Sequence, residues 1–298
     1  MVSLGFVGFG EAAYYLTEGL REEGLEKIFV FDLVLSANSG GQLYDQAIER
    51  VKKTGAVIRQ SLADLANSAD ILVLAVPAQF TESAAGELIP HLNAEQLLVD
   101  VTTAAPVVKK QLGEDCSSRK IMFADSPMLG PLIVDRHKVP IITCGSGAQR
   151  WHDEMRPFGM NIEVIEGSPG TATQIKLARS IFTKGFEALL VETFMFARKC
   201  GVESIVMDSI GKTLDKATFE QSANRYMASD LFHAARKAHE MQDAIDIMRT
   251  MGMTPMVGEG VVARMQYIAS LDCGAKLKGI RPQSLPEICA AWEDCGAI

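Results

Sequence analysis

Lys176, Ser180 and Lys184 recur at intervals of four in the stretch that opens with Gly167-Ser168-Pro169-Gly170-Thr171, so on a helix they share one face. An amine in a partly dry cleft holds its proton less tightly, and it can take a proton from a hydroxyl and later return it. The sequence around these residues predicts a helix. Ser168 is placed to cap it, and Pro169 suits the first helical position, where its missing N–H has no partner to lose. The helical pattern runs from Gly170 to Lys199 and ends at Cys200-Gly201. Leu177, Ala178, Ile181, Phe182, Ala188 and Leu189 make the other side apolar. Alone, such a helix presents a solvated lysine, so any chemistry at Lys176 depends on what the rest of the chain builds near it.

The first half alternates short apolar runs with helical patterns. Val2–Val7 reads as a buried strand, followed by Gly8-Phe9-Gly10-Glu11-Ala12-Ala13, a helical pattern to Gly24, a second strand Lys27–Phe31 and then Asp32. This order of strand, glycine turn, helix, strand and acid suits a dinucleotide. The glycines let the backbone approach a pyrophosphate, and the helix N-terminus favours its charge. Gly8, Phe9, Gly10, Glu11 and Ala12 are the expected contacts. An acid at Asp32 takes both ribose hydroxyls of NAD and repels the 2′-phosphate of NADP, so NAD is expected in preference to NADP. Ser36, Asn38 and Ser39 in the next loop are the residues placed to meet such a phosphate. Glu11 alternatively serves the helix dipole alone.

Asp70–Val76 is a continuous apolar run, as in a parallel sheet covered on both faces. Val76 and Pro77 at its end are expected beside the cofactor, because strand ends form the crevice of such sheets. Ala56–Ile58, Gln96–Val101, Lys120–Ala124, Val139–Cys144 and Asn161–Ile165 are expected to complete the sheet. Thr102 and Thr103 stand at a strand end, where a hydroxyl bonds cofactor, substrate or the next helix N-terminus. Ser126, Pro127, Met128, Leu129 and Gly130 form a loop whose prolines keep its N–H groups out of regular pairing and able to hold a carboxylate.

Composition narrows the partners. The 298 residues suffice for two domains, and the net charge of −8 disfavours nucleic acid and anionic membrane. No run approaches the length of a membrane helix, and no signal peptide is evident. The six cysteines show no metal-ligand spacing, so no metal is expected and a cytoplasmic setting is.

Four of these segments, in this order, resemble motifs of the β-hydroxyacid dehydrogenase family, which includes 3-hydroxyisobutyrate and 6-phosphogluconate dehydrogenases. Gly5–Gly10 looks like its cofactor motif. Asp100–Pro106 is similar to its D-x-S-T-x-x-P segment, and Asp125–Pro131 to its D-A-P-V-S-G-G substrate loop. Gly167–Lys176 resembles its helix start with the catalytic lysine. Leu129 and Pro131 depart from the loop motif, and Ser180 stands where asparagine is common, which marks a divergent subgroup. His239 aligns with a family position near the substrate. The resemblance implies an α/β fold with a doubly wound Rossmann-type domain over 1–166 and an all-α domain over 167–298, joined by a long helix. It implies hydride transfer between NAD(P) and a small β-hydroxyacid, with Lys176 as general acid and base. Thr103, Ser126 to Gly130, Ser180, Lys184 and His239 would hold the substrate, with Thr102 on the cofactor side, in a homodimer. An imine reductase and a non-catalytic NAD-binding sensor are the alternatives.

Overall fold

The computed structural model describes residues 2–37 and 40–297. Asn38 and Ser39, expected near a phosphate, lie outside the described residues.

The central apolar runs of the first half lack polar alternation because both of their faces are buried, while the edge run at Val57 is exposed. They form the strands β1 (Leu4–Val7), β2 (Ile28–Phe31), β3 (Val57–Ile58), β4 (Ile71–Leu74), β5 (Leu97–Asp100) and β6 (Met122–Asp125). All pair in parallel in the order β3-β2-β1-β4-β5-β6, with Leu4 of β1 opposite Ile28 and Ile71. Alternate residues feed two separate cores. Phe6, Val73 and Val99 face one, and Val7, Leu72 and Leu98 the other. Strand order reverses at β1, which places a crevice at the carboxyl ends of β1 and β4.

Two expected strands do not join this sheet. β7 (Ile141–Thr143) and β8 (Ile162–Val164) pair in parallel with each other. The chain meets the end of β6 through an antiparallel bridge of Asp125 with Cys144, and the loop after β6 through one of Met128 with Ile141. Pro127 and Pro131 lie in the intervening loop, lack N–H donors and so cannot extend a ladder.

The chain folds as two compact units, Met1–Ile181 and Phe182–Ile298, dividing inside the helix Thr171–Cys200. That helix has the expected length, but its start is capped differently. Asp125 takes the cap instead of Ser168, accepting hydrogen bonds from the amides of Gly170 (2.9 Å) and Thr173 (3.1 Å). An ionised carboxylate is a stronger acceptor for helix amides than a hydroxyl.

The second unit is helical, with helices Glu203–Leu214, Phe219–Thr250, Met256–Ser270 and Leu285–Cys295. The longest starts at a reciprocal capping box formed by Thr218 and Gln221. Glu192 caps another, accepting from the amides of Val257 (2.9 Å) and Gly258 (2.7 Å). The architecture is thus a Rossmann-type sheet followed by helices. Among the described residues no helix is long and apolar enough to cross a membrane.

Candidate active site

A cavity of about 470 Å³ opens at the carboxyl ends of β1, β2 and β4. Gly8, Phe9, Gly10, Asp32, Val76 and Pro77, all expected at the cofactor, line it together. Gly8 has φ +86°, and a Cβ there would lie 2.8 Å from the Ala75 carbonyl oxygen. A Cβ on Gly10 would meet nothing within 4 Å. Gly8 therefore allows the turn, and Gly10 leaves open space above the start of the helix Glu11–Glu22, whose N-terminus no side chain caps. Open space over unpaired amides is what a pyrophosphate needs, so these residues fit a dinucleotide.

Asp32 is held from two sides. Its Oδ2 accepts from the Phe9 amide at 2.7 Å and its Oδ1 from the Val34 amide at 2.8 Å. Each oxygen keeps a lone pair for a ribose hydroxyl. Glu11 is exposed and lines an adjoining cavity of about 310 Å³. Ala12 lines neither cavity.

At the carboxyl ends of β5 and β6 lies a charged cluster with no signal in the sequence. Lys109, Asp100 and Asp125 are all fully buried. Lys109 Nζ sits 2.8 Å from Asp100 Oδ2, a close ionic contact outside hydrogen-bond geometry, and 3.6 Å from Asp125 Oδ1. It also donates to the Thr102 carbonyl oxygen at 3.0 Å. Asp125 Oδ1 accepts from Thr173 Oγ1 at 2.7 Å. One ammonium thus joins the ends of two strands, the Thr102 loop and, through Asp125, the lysine helix. Lys109 stands beside Lys110 in the sequence, and no local pattern separates the buried one.

The expected substrate residues divide by burial. Ser126 and Pro127 are buried, and the Ser126 hydroxyl shares a 2.6 Å hydrogen bond with Thr143 Oγ1. Thr102 is buried, and its hydroxyl accepts from Thr81 Oγ1 at 2.9 Å. Thr103 is exposed, and Met128, Leu129 and Gly130 are half-buried. Leu129 packs against the cluster of Ile142, Cys144 and Ala172, and its carbonyl accepts a hydrogen bond from Arg179. Lys176 and Ser180 are half-buried in the first unit. They follow Thr173 by three and seven residues, on the face anchored at Asp125. Lys184 and His239 belong to the second unit, and both are exposed.

Comparison with known proteins agrees with this geometry. Residues 3–157 match the model of the NAD binding domain of 6-phosphogluconate dehydrogenase, and residues 197–268 match a domain of unknown function. A 28.5 kDa protein of Methanothermus fervidus is 24% identical over 85% of this chain and 94% of its own. A solved conserved protein, described as structurally similar to 3-hydroxyacid dehydrogenases, is 27% identical with a TM-score of 0.58, covering 94% of this chain and 100% of its own. An imine reductase from Pseudomonas sp. shares the fold, with a TM-score of 0.73 at 15% identity over 98% of this chain and 99% of its own.

Proposed function

The chain belongs to the NAD-binding oxidoreductase family of the 6-phosphogluconate dehydrogenase NAD binding domain, with hydroxyacid dehydrogenase architecture, and from that premise we propose that it oxidises a small β-hydroxyacid with Lys176 as general base. The nicotinamide ring, when bound, supplies the hydride acceptor. Lys176 as the neutral amine takes the hydroxyl proton, and in reverse its ammonium donates to the carbonyl oxygen. The observation that carries the reading is the cap of the lysine helix. Asp125 opens the substrate loop and also caps this helix, so the loop and Lys176 are held by one buried carboxylate. Thr103 and the half-buried Met128 to Gly130 segment are the groups offered to the acid, and Ser180 orients Lys176.

The experiment is NAD and NADP reduction against three- to six-carbon β-hydroxyacids, sugar acids included. On a confirmed substrate, Lys176→Ala should lower turnover roughly 10²- to 10⁴-fold, the range for lost acid–base catalysis. Full turnover in that variant would end the proposal.

One observation favours a second reading. Leu129 packs against the helix start and its carbonyl is taken by Arg179, so this position offers no hydroxyl to a carboxylate. A reductase of an uncharged imine needs no carboxylate clamp. A cyclic imine assayed beside the hydroxyacids separates the two. We further propose a homodimer. Ile205, Met207, Phe219 and Met256 of the second unit are large, apolar and exposed, as surfaces covered by a second copy are. Sedimentation velocity at micromolar concentration should show twice the chain mass.

A further inference from the structure

We infer that Arg50 and Asp32 together set which dinucleotide the cleft accepts, with Arg50 meeting a 2′-phosphate and Asp32 a free 2′-hydroxyl. The inference rests on reading the cleft as a dinucleotide site and deepens that reading.

The two side chains grip the same residue of the glycine turn. Asp32 accepts from the Phe9 amide at 2.7 Å, while Arg50 Nη1 donates to the Phe9 carbonyl oxygen at 3.5 Å. One residue's backbone thus separates a carboxylate from a guanidinium, and both line the 470 Å³ cavity. Among the described lining residues Arg50 is the one cation, beside the acids Asp32 and Glu87. Its hydrogen bond to Phe9 lies at the long limit, and among the described residues it forms no ion pair. A guanidinium with most of its donors uncommitted can take a phosphate through two parallel bonds.

The space fits as well. Arg50 and Gln46 also line the adjoining 310 Å³ cavity, so the guanidinium stands where the two cavities meet. Lys53, the other cation there, is paired with Glu49 at 2.9 Å. The expected phosphate residues contribute less. The Ser36 hydroxyl donates to the Leu33 carbonyl oxygen at 3.1 Å. A 2′-phosphate placed beside Asp32 alone would be repelled, and Arg50 offsets that repulsion. NAD, with its free hydroxyl, needs Asp32 and not Arg50. The pyrophosphate is met instead by the amides above Gly10.

The test is titration of the full-length protein with NADH and with NADPH, followed by fluorescence and calorimetry. Wild type should bind both. Arg50→Gln should weaken NADPH about 10- to 100-fold, the scale of a lost charge-assisted contact, and leave NADH within about twofold. Arg50→Lys should keep part of the NADPH affinity. Asp32→Asn should move the ratio the other way, favouring NADPH. Equal weakening of both dinucleotides by Arg50→Gln, with Asp32→Asn leaving the ratio unchanged, would overturn the inference by assigning Arg50 to the pyrophosphate or to the fold. No change in either affinity would overturn it as well. Wild type that binds neither dinucleotide would instead sink the reading of the cleft itself.

Discussion

Thr173 Oγ1 donates to Asp125 Oδ1 across 2.7 Å, and this bond helps tie the lysine helix to the sheet. The other Asp125 oxygen takes the amides of Gly170 and Thr173. Removing the carboxylate leaves three buried donors unpaired. Asp125→Ala should therefore cost about 3–5 kcal/mol, because the partners of a lost buried charge keep their desolvation cost. Thr173→Val keeps the shape and both amide bonds, so about 1–2 kcal/mol is expected. Urea unfolding of the two variants checks the ratio. If Thr173→Val matches Asp125→Ala, the hydroxyl rather than the cap carries the anchor.

Lys109 gives a sharper case. Its ammonium faces two buried carboxylates at 2.8 and 3.6 Å. Lys109→Met keeps most of the volume and removes the charge, leaving Asp100 and Asp125 side by side without a cation. A loss of about 3–5 kcal/mol is expected, against under about 0.5 kcal/mol for Lys110→Met on the exposed side of the helix Pro106–Ser118 that carries both. Thermal unfolding of the pair is the measurement, and similar melting temperatures would contradict the buried cluster.

The contrast between Lys109 and Asp32 shows what the chain discloses by itself. Asp32 was legible because its strand, glycine turn and helix are contiguous, and the crevice follows from their order. β1 and β4 were legible because strands buried on both faces are apolar throughout. Lys109 was not, because adjacent lysines carry no mark of which is inside. Arg50 was not, because it meets Phe9 from 41 positions away in the chain, a contact made by packing. The cap on the lysine helix was misplaced for the same reason. Ser168 is adjacent in sequence, whereas Asp125 arrives from another strand with the stronger acceptor. The separate pairing of β7 and β8 likewise depends on where the proline loop sends the chain, which strand propensity does not record.

His137 sets a pH dependence. It is buried, and neither ring nitrogen has a hydrogen-bond partner. Burial pushes its pKa below the ordinary histidine value, against a smaller upward pull from Glu23, 3.4 Å away. The unfolded chain therefore binds a proton more readily than the folded one. Stability is complete above the unfolded histidine pKa of about 6.5 and falls as pH drops through it. Melting temperature should decline between about pH 7 and pH 5, and His137→Leu should flatten that part of the profile. An unchanged profile would assign the acid sensitivity to other groups.

The same ring reverses a familiar substitution. Gly19 lies inside the helix Glu11–Glu22, where glycine to alanine ordinarily gains up to about 1 kcal/mol by restricting the unfolded chain and improving helix propensity. Here a Cβ on Gly19 would fall 1.8 Å from His137 Nδ1 and 2.7 Å from its Cγ. The ring is rigid and buried, so it cannot yield as the end of a flexible chain would. Gly19→Ala must displace His137 or the helix, and overpacking of this kind costs about 1–3 kcal/mol. The double variant Gly19→Ala with His137→Ala removes the collision and should recover part of that loss. A thermal double-mutant cycle therefore should give a coupling energy opposite in sign to the single-variant cost. Independent, additive effects would mean that the ring does not fill the space above Gly19.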